Sequence, residues 1–174
     1  TKGVDTFFRY LDVLRAEGAD VRGHIAGPYV HPDTQSMVEH ALAERADFTT
    51  YWGPLDDDAK RQFFSTIDWL VFPSRYPHES APLVIDEAMS AGVPVLSTAI
   101  GCIPSMLTEP CLTVECEFEP ESNGDFLRRV IRKPDAEMIR ATSTAFQHRR
   151  ARSTAQLETV MLRVESATDG LGCG

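Results

Sequence analysis

Basic residues are scarce in this 174-residue chain: 17 Lys and Arg stand against 26 Asp and Glu, a formal net charge of −9. That balance argues against broad nucleic-acid or membrane-surface binding, although a small anion needs only a few local groups. Cysteine is sparse as well. Cys102, Cys111, Cys116 and Cys173 make no C-x-x-C pair, and no histidine stands at zinc-finger spacing from them. The expectation is free thiols, partly buried, in a reducing cytoplasm. His24, His31, His40, His78 and His148 include no i, i+4 pair on one helix, so no metal site is expected. No apolar run approaches the ~18 residues of a membrane span. The opening TKGVDTFFRY has no basic segment followed by an apolar one, so no secretory leader is read there. Gly-x-Gly-x-x-Gly, Walker and Gly-x-Ser-x-Gly patterns are all missing, the last despite Ser74, Ser80 and Ser97. Dinucleotide enzymes, P-loop NTPases and serine hydrolases therefore lose support.

What remains is ordinary globular composition, 43% hydrophobic and 25% charged, enough for one domain over residues 1–174. Val4, Phe7, Phe8, Leu11 and Leu14 recur at helical spacing over 4–17, with Gly18 as the stop. A strand over 21–26 ends at Gly27-Pro28. Asp33 is the expected cap of a helix over 34–45, with Met37, Val38, Ala41 and Leu42 on its buried face. A strand over 48–52 ends at Gly53-Pro54. Asp56-Asp57-Asp58 suits the positive end of a helix dipole. Trp69-Leu-Val-Phe72 is apolar without alternation, as in a strand covered on both faces of a parallel sheet. A helix over 81–91, stopped by Gly92, leads to a strand over 94–98, a short turn over 104–107 and a last strand over 111–114. Helices over 122–132, 135–150 and 153–166 follow, then a frayed Gly-rich tail. Strands alternating with helices predict right-handed βαβ units, hence an α/β fold with a Rossmann-like parallel sheet, helices on both faces and a helical C-terminal tail.

In such sheets ligands bind beyond the carboxyl ends of the strands. The relevant loops are 27–31, 52–55, 73–82 and 98–104. The third is the richest. Glu79 precedes the helix and Glu87 lies on it, with Ser80, Leu83 and Glu87 at i, i+3, i+7. Between the two acids lies a helix N-terminus, whose open N–H groups and positive dipole suit a phosphate. The expectation is a diphosphate on the amides near Ala81–Val84, with Pro82 unable to donate. Glu87 would accept from sugar hydroxyls and Glu79 would lie near the outer phosphate. By spacing alone, two solvated helix charges explain the pattern as well.

The string Glu79-Ser-Ala-Pro-Leu-Val-Ile-Asp-Glu87-Ala-Met-Ser-Ala-Gly92-Val-Pro94-Val-Leu-Ser-Thr98-Ala-Ile-Gly101 resembles the signature of retaining glycosyltransferases of family 4. That pattern is Glu-x7-Glu-Ala, then small-Gly-x-Pro-Val, then Thr-x-x-Gly. The resemblance runs from Lys2-Gly3 to about Leu107. It implies the donor-binding C-terminal lobe of a GT-B enzyme. Glu87 would bind the donor ribose and Glu79 would lie near the transferred sugar and leaving phosphate. Ser80, Ala81, Leu83 and Val84 would carry the diphosphate-binding segment, and Lys2 would neutralise that diphosphate. Gly53 would stand beside the base, with Arg75 as a further loop contact. No cofactor or metal is implied, only a UDP-, GDP- or ADP-linked sugar. The partner would be an acceptor-binding N-terminal lobe of the same polypeptide, in the cytoplasm or at the inner membrane face.

The chain departs from the pattern in three places. Ser80-Ala81-Pro82 replaces Gly-Phe-Gly, and Gly101-Cys102-Ile103-Pro104-Ser105 replaces Gly-Gly-x-x-Glu. The basic residue usually found before Lys-Gly is not in the chain. Thr1-Lys2-Gly3 reads as the loop after a strand that is itself missing, which would leave the sheet open at its centre or edge, or filled by another chain. Such a segment would fold and bind nucleotide without transferring sugar alone. Two alternatives stay open: a nucleotide-sugar epimerase or inverting transferase of the same fold, and a receiver-like binding module. The module would need an aspartate ending the strand before Pro73-Ser74. Elsewhere plainer roles are expected. Trp52 and Trp69 pack, His78 is a surface loop residue, Asp56–Asp58 are helix-start charges, and Arg149, Arg150 and Arg152 are a solvated face.

Overall fold

The computed structural model describes residues 2–29, 31–115, 119–124, 127–128 and 131–169. Cys116 and Cys173, parts of the expected 122–132 helix, and the 170–174 tail lie outside them. In chain order the elements are α1 (Val4–Ala16), β1 (Gly23–Ile25), α2 (Pro32–Glu44), β2 (Thr49–Tyr51), α3 (Asp57–Thr66) and β3 (Leu70–Phe72). Next come α4 (Leu83–Ser90), β4 (Val95–Thr98), α5 (Ile103–Met106), β5 (Leu112–Val114), a 3-10 turn (Pro120–Ser122) and α6 (Ala136–Asp169). Every described strand pairing is parallel. β1 pairs with β2, and β4 lies between β3 and β5. A cleft separates the two sheets.

The stop signals act as their chemistry requires. Gly18 takes φ 83 and donates to Arg15 O, while Ala19 donates to Leu14 O. Gly92 takes φ 78, and Val93 donates back to Ala88 O at 2.9 Å. Both close a helix with a left-handed residue. Asp56 caps α3, its Oδ1 accepting from the Ala59 amide at 2.8 Å. We expect Asp56→Ala to cost about 1 kcal/mol in a urea melt, because that amide then loses its acceptor.

Four local expectations need correction. α2 begins earlier, with His31 as N-cap and Pro32 in the first turn, because proline's fixed φ suits a helix start. Asp33 is a first-turn charge, and Met37 is exposed while Val38 is buried. α4 begins at Leu83 and not at 81. Ala81 precedes a proline, which disfavours helical backbone, and Pro82 itself is extended with ψ 110°. Ser80 therefore shares no helix face with Leu83 and Glu87. Finally, the helices expected over 135–150 and 153–166 are one, since no Gly or Pro interrupts Ala136–Asp169.

The largest apolar cluster among the described residues packs α4 against β4. Ile85, Ala88 and Met89 of α4 pack with Val95 of β4, Ile103 and Phe63, and the first five are fully buried. Each large apolar side chain there contributes roughly 1.5–3 kcal/mol by leaving water. That burial anchors the inner face of α4, while Leu83 at its N-terminus stays exposed. A second cluster joins Tyr10 and Leu14 of α1 to Trp69, Leu96 and Val114, and a third joins Phe8, Leu11 and Val38. The tryptophans pack as expected: Trp69 donates to Arg132 O at 2.8 Å, and Trp52 meets Phe63 edge-on.

Candidate functional site

The site is built where the carboxyl ends of β3 and β4 meet α4. After β3 the chain turns through Pro73-Ser74. Ser74 is fully buried, and its carbonyl accepts from the Thr98 hydroxyl at the end of β4. Ser97, one residue earlier, donates to Phe72 O at 2.6 Å. These bonds hold the loop against the sheet. Ser74 then donates to Glu79 Oε1 at 2.7 Å. Lys2 places its ammonium on the same oxygen, and Glu79 is only 6% exposed. A buried carboxylate is costly unless paired and hydrogen-bonded, and here it is both. The backbone of Glu79 is fixed too, its carbonyl accepting from Cys102 N at 2.9 Å.

Two glycines permit this closeness. A Cβ on Gly101 would stand 2.1 Å from Glu79 O, and one on Gly3 would stand 1.9 Å from Pro73 O. Both have positive φ, 54° and 78°. Lys2 also lies 5.3 Å from the Tyr76 ring centre and 5.7 Å from that of Phe72. Such cation–π contacts steer a flexible ammonium. Its side chain remains 59% exposed, so it can reach a ligand.

Next to Glu79 the N-terminus of α4 is open. Pro82 is its N-cap and supplies no capping side chain. The Leu83 and Val84 amides are first-turn donors with no acceptor in the helix, whereas Ile85 already donates to Pro82 O at 3.0 Å. Leu83 is 72% exposed. One turn on, Glu87 Oε1 accepts from Lys60 of α3 at 2.8 Å. The carboxylate raises the Lys60 pKa, chiefly through that hydrogen bond. Glu87 is thus a half-exposed helix charge paired with Lys60 across a solvated surface, and its other oxygen takes no bond from the described residues.

The remaining candidates spread out. Gly53, with φ 69°, accepts at its carbonyl from Gly27 N at 2.9 Å, so the loops after β1 and β2 stand together. Beside them Trp52 donates to His24 Nδ1 at 3.1 Å, and burial holds the His24 pKa below its usual value. Arg75 turns to α1, where it pairs with Asp5 at 2.9 Å and donates to Thr6. Ser80 and Ala81 are exposed in the extended approach to α4. Neither Glu79 nor Glu87 lines the cleft between the sheets; Lys2, Pro82 and Val84 do. His78 is exposed. Arg149 corrects the solvated-face expectation: it pairs with Asp86 and ties α6 to α4, while Arg150 and Arg152 are exposed. No cluster of metal-ligating side chains occurs among the described residues.

Ser74 and Lys60 are the residues that sequence reasoning did not find. Ser74 is a short hydroxyl inside a proline-rich loop, and Lys60 stands 27 positions from its partner. Only the packing of α3 against α4 brings that pair together.

Residues 1–132 match the family described as Glycosyl transferases group 1. The chain belongs to that family. A comparison with curated protein sequences returns no significant match. Among solved structures, Anabaena Alr3699/HepE in complex with UDP superimposes with a TM-score of 0.69 at 15% identity, over 92% of this chain and 44% of that one. WaaG, a glycosyltransferase involved in lipopolysaccharide biosynthesis, gives 0.60 at 22% identity, over 84% and 38%. The pneumococcal O-GlcNAc transferase GtfA, in complex with UDP and GlcNAc, gives 0.62 at 12% identity, over 84% and 30%. The chain thus has the mixed α/β fold of GT-B glycosyltransferases and spans less than half the length of these neighbours. Among the described residues no helix is long and apolar enough to cross a membrane.

Proposed function

We propose that this segment is the donor-binding lobe of a retaining, metal-independent family 4 glycosyltransferase, with the diphosphate of a nucleotide-sugar seated on the N-terminus of α4. The observation that carries the reading is that uncapped N-terminus, held between the Lys2–Glu79 pair and Glu87. When the glycosidic bond to the diphosphate breaks, negative charge grows on the outer phosphate. The Leu83 and Val84 amides and the Lys2 ammonium are fixed where that charge develops, which lowers the barrier without a divalent ion. Glu87 receives the ribose hydroxyls on the oxygen that Lys60 leaves open. Glu79 holds Lys2 in place and faces the transferred sugar. Gly53 and its neighbours border the base. Acceptor choice belongs to an N-terminal lobe of the same polypeptide, working in the cytoplasm at or near the inner membrane face.

Two of the neighbours were solved with UDP, so UDP is the first nucleotide to test, with GDP and ADP beside it. Calorimetry should show one of the three binding, and Glu87→Ala should weaken it about tenfold, the worth of one charge-assisted hydrogen bond. Unchanged affinity would refute the ribose role. For the intact enzyme, the anomeric configuration of the product read by NMR should match that of the donor; inversion would refute retention.

A further inference from the structure

The loop after β3 is bonded along its length, yet it leaves two rings in solvent, those of Tyr76 and His78. Its anchors come first. Ser74 O accepts from Thr98, Arg75 pairs with Asp5 and donates to Thr6, and Glu79 meets Lys2 and the Cys102 amide. Between the anchors Tyr76-Pro77-His78-Glu79 forms a turn, closed by the Glu79 amide on Tyr76 O at 3.2 Å. Proline suits the second position of such a turn, where its fixed φ is already correct. The entry to the turn is held as well. Tyr76 N donates to Ser74 Oγ at 3.2 Å, and that same hydroxyl donates to Glu79 Oε1 at 2.7 Å. One buried serine therefore ties the backbone of Tyr76 to the carboxylate of the candidate site.

The side chain on that turn is placed as firmly. The Tyr76 and His78 rings meet at 77° with centres 5.7 Å apart, the edge-to-face arrangement that aromatic pairs prefer. The Lys2 ammonium lies 5.3 Å from the Tyr76 ring centre while it pairs with Glu79, so ring and carboxylate stand on either side of one cation. Even so, Tyr76 is 42% exposed, and its hydroxyl takes no bond from the described residues. A ring held this way can cover a ligand at little ordering cost. The chemistry of the ligand follows from the surroundings. A phosphate is served by the α4 amides and Lys2, and a base by the loops near Gly53. A hexose is different: it has a flat face of C–H groups that matches an aromatic ring, and a rim of hydroxyls that matches the phenol and a carboxylate.

We propose that Tyr76 is a specificity-determining residue of this site, its ring packing on the C–H face of the sugar that the nucleotide carries. The proposal rests on the donor-binding reading above and adds to it the side chain that tells a sugar-bearing nucleotide from a bare one. The ring does the packing, so phenylalanine serves in its place and an aliphatic side chain does not.

The test compares UDP, GDP and ADP with UDP-glucose, UDP-N-acetylglucosamine, GDP-mannose and ADP-glucose, by calorimetry on the wild-type chain, Tyr76→Leu and Tyr76→Phe. Tyr76→Leu should raise the Kd of the sugar conjugate by roughly three- to tenfold, the worth of one aromatic contact, and leave that of its bare nucleotide within about twofold. Tyr76→Phe should leave both within about twofold. Equal weakening of conjugate and nucleotide overturns the proposal, because the ring would then serve the nucleotide or the fold. Unchanged affinity for the conjugate overturns it too, as does Tyr76→Phe behaving like Tyr76→Leu. A second measurement needs no substitution: in the wild-type chain the Tyr76 ring protons should shift on adding the conjugate and stay in place on adding the nucleotide alone, and a ring silent to both contradicts the proposal. If a bare nucleotide binds and Tyr76 makes no difference to the sugar, this inference fails by itself. If none of the three nucleotides binds, the donor-binding reading fails and takes this inference with it.

Discussion

Glu79→Gln should lower sugar transfer by the intact enzyme by roughly 10²–10³-fold, the usual cost of losing one preorganised electrostatic element. Donor affinity should stay within about threefold, because the substitution changes the transition state more than the ground state. The reason is local. Glu79 Oε1 accepts from Ser74 at 2.7 Å and from the Lys2 ammonium. An amide of the same size keeps the hydroxyl bond but carries no charge to hold an ammonium. Lys2 then leaves the position from which, in the proposed transfer, it meets the leaving phosphate. Glutamine is the right probe because alanine would strip the buried Ser74 hydroxyl of its acceptor, a penalty of about 1–3 kcal/mol unrelated to catalysis. Steady-state kinetics with a matched melting curve checks the claim. A kcat within about twofold of the wild type would remove Glu79 from the reaction.

A large structural effect is expected from Gly101→Ala. Its Cβ would lie 2.1 Å from the Glu79 carbonyl oxygen and 3.0 Å from its carbon, both backbone atoms that cannot swing aside. The loop must open, breaking the Cys102 N to Glu79 O bond of 2.9 Å. Left-handed strain at φ 54° adds to the clash. Together these should cost about 2–4 kcal/mol. For a domain of this size that lowers Tm by roughly 5–15 °C. Gly53→Ala is the control. Gly53 has φ 69° but nothing within 4 Å of its added Cβ, so it carries the strain without the clash and should cost only about 1–2 kcal/mol. Equal melting of the two variants would mean that the Gly101–Glu79 approach does not constrain the site.

These contacts also show what a sequence can and cannot reveal. The helix stops at Gly18 and Gly92 and the acidic helix start at Asp56–Asp58 were legible, whereas the cap expected at Asp33 was not and the capping bond of Asp56 was found only in the structure. The Glu79–Glu87 stretch was legible because a loop, a helix N-terminus and two acids lie in one continuous string. The start of α4 was misplaced by two residues even though the signal was local, in the restriction that Pro82 imposes on Ala81. The ion pairs were not legible. Lys60 on Glu87 and Arg149 on Asp86 join elements distant in the chain, and charge spacing along one helix says nothing about a partner on another. Arg75 could be placed in a loop near the site, but its hold on Asp5 and Thr6 depends on where α1 docks.

The net charge of −9 takes on a local meaning here. The two carboxylates of the candidate site, Glu79 and Glu87, each carry a lysine, so the proposed anionic donor would meet paired groups and not bare acids. Lys60 serves Glu87 as Lys2 serves Glu79, yet only the Lys2 ammonium lies beside the open helix N-terminus in the proposed transfer.

The central claim is that the donor diphosphate sits on the Leu83 and Val84 amides at the start of α4. Backbone amide shifts in a ¹⁵N–¹H spectrum, followed while UDP, GDP and ADP are added in turn, test it most directly. The account predicts that one nucleotide moves the Leu83 and Val84 signals most, with Glu87 and Gly53 responding and α2 silent. A folded protein in which none of the three moves Leu83 or Val84, or in which the shifts gather elsewhere, would contradict it.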